Sequence, residues 1–120
     1  MRHRFFSAIT ASAARATLLT LVCTGALATS IESSAAPPVE VSITKFTFAP
    51  KEITVAPGTK IVWTNHDETP HTVTSKDKVL ASPGMDTDDK YEHTFDGEGD
   101  FAYICTVHPF MTGIVHVRKP

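Results

Sequence analysis

Cysteine is scarce in this sequence. There are two in 120 residues, Cys23 and Cys105, too few for a fold stapled by disulfides. Neither sign of charge dominates: 11 Lys and Arg stand against 13 Asp and Glu, a formal net charge of −2. That excludes a protein built around a broad basic face for nucleic acid. No apolar run is long enough for a comfortable membrane helix. Internal repeats are absent, and low-complexity sequence is absent outside the N-terminal segment. No stretch keeps a helical period for long.

What is present divides in two. The N-terminus reads "MRHRFF", with Arg2 and Arg4, followed after Arg15 by an apolar run from Ala16 to Ala28 and then small residues, "ALATSIESSAAPP". A basic start, a short apolar stretch and a small-residue zone form the pattern of a secretory signal peptide over residues 1–36. Cleavage after Ala28 or after Ala36 satisfies the small-x-small rule, and an uncleaved N-terminal anchor is the rival reading. Residues 37–120 then carry 8 Lys and Arg against 12 Asp and Glu, a net charge of −4. The exported domain keeps one thiol, Cys105. A lone thiol in a disulfide-permissive compartment is a liability unless something occupies it.

Along 37–120, short alternating segments recur between turn residues, the signature of an all-β sandwich or barrel. "VEVSITKFTF" alternates and ends at Ala49-Pro50. "EITV" stops at Ala56-Pro57-Gly58. "TKIVWTN", "HTVTS", "YEHTF", "DFAYIC" and "GIVHVR" follow, with an irregular polar loop from Lys76 to Lys90 that has room for an edge strand near Val79-Leu80. The spacing predicts seven to eight strands.

One loop concentrates chemistry. "YICTVHPFMTG" places Cys105, His108 and Met111 at three-residue intervals. Thiolate and thioether select for copper, and imidazole serves both of its oxidation states. A trigonal set of one Cys and two His with a weak axial Met is the blue-copper arrangement. That set requires a second histidine from elsewhere, and His71, in "TPHTVTS", is the candidate. These motifs resemble the cupredoxin, or blue copper, family, and within it the amicyanin-like and plastocyanin-like members. The match runs over residues 39–118. It includes "VWTN", "PHTV", "CTVHPFM" and "GIVHV" as they stand here.

The resemblance implies a Greek-key cupredoxin sandwich with one copper ion on His71, Cys105, His108 and Met111. It implies a periplasmic carrier of single electrons, not an enzyme, because four protein donors leave no open metal position for substrate. The implied partners are transient redox proteins: a c-type cytochrome, a periplasmic dehydrogenase such as an amine-oxidising quinoprotein, or a reductase. No nucleic acid and no membrane are expected after signal cleavage, and the expected state is a monomer. The rival readings are copper storage or delivery, and a structural zinc site. Relatives usually carry Asn after the upstream histidine, where Thr72 stands here; this puts the rigidity of the ligand loops and the reduction potential in question. Pro109, Phe110 and Met111 are expected to form an apolar surface around His108. Met85, His66, His93, His116 and the Asp cluster at 86–89 are expected to be packing or solvated residues.

Overall fold

The structure is a computed structural model and describes residues 36–120. The expected signal peptide, residues 1–36, lies outside that range except for Ala36, and Cys23 lies outside it as well.

Eight strands form two four-stranded sheets. In chain order they are β1 (Val39–Thr44), β2 (Thr47–Ala49), β3 (Glu52–Val55), β4 (Thr59–Asn65), β5 (Thr74–Ser75), β6 (Lys90–Phe95), β7 (Gly99–Ile104) and β8 (Thr112–Val117). One sheet has the order β2-β1-β4-β6 and the other β3-β8-β7-β5. The chain crosses between the sheets repeatedly, so β1 lies parallel to β4, and β3 parallel to β8, while the remaining pairs are antiparallel. This is an all-β sandwich with the seven to eight strands that the sequence predicts, and it agrees with the fold that the resemblance implies.

Alternation determines which residues meet between the sheets. Val41 and Ile43 from β1, Ile61 and Trp63 from β4, and Val115 and Val117 from β8 are fully buried. Each such aliphatic side chain contributes about 1.5–3 kcal/mol through removal of apolar surface from water. Tyr103 packs edge-on against Phe48 and Trp63, with ring centroids 4.8 and 5.6 Å away. Burial pushes the Tyr103 phenol up to about 12, outweighing the opposing effect of the Trp63 indole.

The structure corrects two expectations. "VEVSITKFTF" is not one strand. It folds back on itself as the β1–β2 hairpin, with Thr44 opposite Thr47. Lys45 and Phe46 form the turn at φ 52° and 57°, the sign that two-residue hairpin turns require. The usual Asn or Gly is missing, so the alternation read straight through it. Val79-Leu80 forms no strand. The nearest pairing is an isolated bridge between Thr74 and Ala81, and Leu80 is instead a core residue.

Candidate metal centre

Three connections converge at one end of the sandwich. The β1–β2 turn meets the β4–β5 connection, where His66 N–H donates to Ile43 O at 2.8 Å. The β4–β5 connection in turn meets the β7–β8 loop through His71 and Cys105. Pro70 precedes His71 and disfavours helix at Thr69, the residue before it. His71 then pairs with Met85 in an antiparallel bridge: His71 N–H donates to Met85 O at 3.1 Å and Met85 N–H to His71 O at 2.9 Å. Asn65 Nδ2 adds a bond to the same Met85 carbonyl at 2.9 Å.

The loop carrying the other three predicted ligands closes on itself. Cys105 N–H donates to Met111 O at 3.1 Å, and Met111 N–H donates to His108 O at 2.9 Å. The three-residue spacing is what lets these bonds form. The loop therefore has little freedom left once β7 and β8 are paired.

Cys105 Sγ lies 3.7 Å from His71 Nδ1 and 3.7 Å from His108 Nδ1, and the three ligand atoms lie within 4.8 Å of one another. Separations of that size can be spanned by one metal ion with donor bonds of roughly 2.0–2.3 Å to sulfur and nitrogen. The donor set and its spacing thus fit a copper ion. Cys105 and His71 are completely buried, Met111 is 2% exposed, and His108 is half-buried. All four predicted residues lie at this end of the molecule. His71, Cys105 and His108 bring their donor atoms together; Met111 is buried and tied to Cys105 through its backbone carbonyl.

Thr72 ties the two ligand connections together. Its Oγ1 accepts Thr106 N–H at 2.8 Å and pairs with Thr106 Oγ1 at 2.8 Å. Its backbone N–H points at Cys105 Sγ at 3.4 Å. The hydroxyl stands 4.0 Å from that sulfur, too far to bond it strongly while engaged with Thr106.

Two residues escaped the sequence reading. Asp67 Oδ2 lies 2.9 Å from His71 Nε2. Phe46 sets its ring perpendicular to both imidazoles, 5.2 Å from His71 and 5.1 Å from His108. A carboxylate four residues before a candidate ligand was a readable signal for the first. Nothing local marked the second, because the hairpin turn that delivers it was itself hidden. Around His108, Phe110 is 70% exposed, Val107 61% and Phe46 39%. Met111 is not part of this surface, contrary to expectation, and Phe46 and Val107 take its place. Met85 is buried, and its backbone pairs with His71. His66 is exposed, 3.9 Å from Asp88, and stands outside the cluster of three ligand atoms.

A sequence model of the copper binding proteins of the plastocyanin/azurin family matches residues 35–118. Amicyanin-alpha of Methylorubrum extorquens is 34% identical over 119 residues, covering 95% of this chain and 96% of the relative. The crystal structure of amicyanin from Paracoccus versutus superposes with a TM-score of 0.65 at 34% identity, over 69% of this chain and 83% of that one. A purple cupredoxin from Nitrosopumilus maritimus gives a TM-score of 0.64 at 30% identity, over 67% of this chain and 99% of that one.

Proposed function

The chain belongs to the plastocyanin/azurin family of copper-binding proteins, and from that premise we propose that it is an exported shuttle for single electrons whose copper is held by His71, Cys105, His108 and Met111. It is an amicyanin-like type 1 copper electron-transfer protein. The observation that carries the ligand assignment is the pair of equal 3.7 Å separations from Cys105 Sγ to two imidazole nitrogens.

Copper, when bound, supplies a one-electron couple between Cu(II) and Cu(I). The protein supplies a cage that need not rearrange. Cys105 and Met111 are fixed by the backbone bonds within their loop, and His71 by its bridge to Met85. Thr72 locks the one connection to the other. His108 is the donor nearest to solvent. Phe46, Val107 and Phe110 surround it with exposed apolar surface, which suits brief docking of a redox partner. The partners are a c-type cytochrome and a periplasmic dehydrogenase or reductase, met by a monomer in the periplasm. The signal peptide over residues 1–36 directs export, and residues 37–120 form the copper domain.

Retention of the ion is favoured over storage or delivery because Cys105 and His71 are both 0% exposed. Handover between proteins needs a thiolate that an acceptor can reach. The test is loading of the purified protein with Cu(II). An intense blue colour, narrow EPR hyperfine splitting and reversible one-electron reduction are expected. A colourless protein that holds only Cu(I) would establish the delivery reading instead. Metal analysis after expression with copper separates both from a zinc site.

A further inference from the structure

We propose that Asp67 is a positioning residue of the metal centre: its carboxylate holds His71 in one tautomer and, with the same two oxygens, holds the turn that lays Phe46 across both histidines. This rests on the reading of His71 as a copper ligand.

Asp67 gathers donors from two separate parts of the chain. Oδ1 accepts Lys45 N–H at 2.6 Å. Oδ2 accepts Phe46 N–H at 2.9 Å and faces His71 Nε2 at 2.9 Å. The side chain is 13% exposed. Its own backbone is fixed as well: Asp67 N–H donates to Asn65 Oδ1 at 3.0 Å, and Thr87 Oγ1 donates to Asp67 O at 2.9 Å.

Two consequences follow from this geometry. A carboxylate accepts and cannot donate, so His71 must present Nε2–H to it. Nδ1 is left with a bare lone pair, and Nδ1 is the nitrogen that faces Cys105 Sγ. The opposite tautomer would point a proton at the ion and a lone pair at the carboxylate. Second, Lys45 and Phe46 are non-glycine residues at positive φ, a conformation that costs roughly 1–2 kcal/mol per residue. The two central amides of a tight hairpin turn have no partner within the ladder. Asp67 accepts both, and its charge makes those bonds strong. One carboxylate therefore orients a ligand and stabilises the strained turn carrying the ring that covers it. Its negative charge beside His71 also favours the higher copper valence, which lowers the reduction potential.

The experiment compares the unaltered protein with Asp67→Asn, a substitution of the same shape that loses the charge and one acceptor. In the metal-free protein, exchange of the Lys45 and Phe46 amides is expected to quicken about tenfold or more, since bonds to a charged acceptor are worth about 1.5–3 kcal/mol and 1.4 kcal/mol is a factor of ten. In the copper-loaded protein, the preference for Cu(II) over Cu(I) is expected to fall about tenfold, raising the potential by about 59 mV for one electron. NMR of the unaltered Cu(I) protein needs no variant to fold: it is expected to show a slowly exchanging proton on His71 Nε2. A blue Asp67→Asn protein with unchanged potential and unchanged amide exchange would overturn the proposal while leaving the function intact. A His71 Nε2 proton that exchanges as fast in the unaltered Cu(I) protein as in Asp67→Asn would overturn it too, whereas a proton on Nδ1 would overturn the copper-ligand reading. An unaltered protein that never turns blue would instead overturn the copper-ligand reading.

Discussion

Thr72 and Thr106 lie 34 positions apart in sequence, yet the hydroxyl of the first accepts the backbone N–H of the second at 2.8 Å. The same hydroxyl pairs with the Thr106 side chain. This one residue therefore ties the β4–β5 connection to the β7–β8 loop. Thr72 is 9% exposed, so its bonds are largely shielded from water. Thr72→Val keeps the shape and the backbone N–H directed at Cys105 but removes the hydroxyl. It is expected to cost about 1–3 kcal/mol through the stranded Thr106 amide, read by urea unfolding of the metal-free protein. Thr72→Ser is expected to restore most of the loss. Equal stability of all three proteins would show that the tie contributes nothing.

Gly113 is the second residue of β8, the strand that follows the ligand loop, and it is buried against Tyr103. A Cβ built there would lie 2.5 Å from Tyr103 Oη and 2.8 Å from Cε2. Tyr103 is 2% exposed and hemmed in by Phe48 and Trp63, so its ring has nowhere to retreat. Gly113→Ala is expected to destabilise the protein by about 1–3 kcal/mol, the usual cost of overpacking a core. Because β8 starts beside Met111, the strain is also expected to reach the ligand loop and broaden the EPR signal of the copper-loaded protein. Chemical denaturation and EPR on one sample check both expectations.

The ligand cluster was legible because it is local. Cys105, His108 and Met111 sit in seven consecutive residues, and their donor chemistry names the ion without any fold. His71 was a candidate once a second imidazole was required, and the family resemblance of "PHTV" is what pointed to it among the other histidines. The strands were legible where alternation was clean, as in β8, or where β-branched and aromatic residues ran together between turn signals, as in β4. What stayed hidden depended on tertiary partners. The β1–β2 turn has no Asn or Gly, because Asp67, 21 residues beyond Phe46, carries the stabilisation that turn residues normally provide. Phe46 as a cover over the histidines and Met111 as an inward residue were hidden for the same reason.

Met111 is buried beside Cys105 and joined to it through the Cys105 N–H bond to Met111 O. On the proposed ligand set, its thioether is the weak axial donor. Met111→Leu keeps nearly the same volume, so the stability cost is expected to stay under about 1.5 kcal/mol. The trigonal set from His71, Cys105 and His108 is untouched, so the blue colour is expected to persist. Loss of a donor leaves Cu(II) less satisfied than Cu(I), so the reduction potential is expected to rise. Voltammetry of the two proteins decides it, and an unchanged or lower potential would remove Met111 from the ligand set.

His116 sits on the outer face of the second sheet, between carboxylates from both neighbouring strands. Nδ1 faces Asp100 Oδ1 at 2.5 Å and Nε2 faces Glu52 Oε1 at 2.7 Å. Arg118 shares Asp100. The bonds to Asp100 and then to Glu52 raise the His116 pKa above its ordinary 6.5, and the bonds from His116 and Arg118 hold Asp100 below the usual carboxylate range. The sign for the histidine follows from linkage. The folded state binds the proton more tightly than the unfolded chain does, so the histidine contributes its full stability below pH 6.5. That contribution is lost as pH rises through the folded-state value. Asp100 works in the opposite sense at the acid end, where its contribution disappears as pH falls through its lowered value. His116→Gln removes the histidine part alone. The melting temperature of the unaltered protein is therefore expected to exceed that of His116→Gln most clearly at mildly acidic pH, with the gap closing towards alkaline pH. The His116 ring is expected to titrate above 6.5 by NMR. A gap that widens with rising pH would show that the three strands are not held together by this ionic cluster.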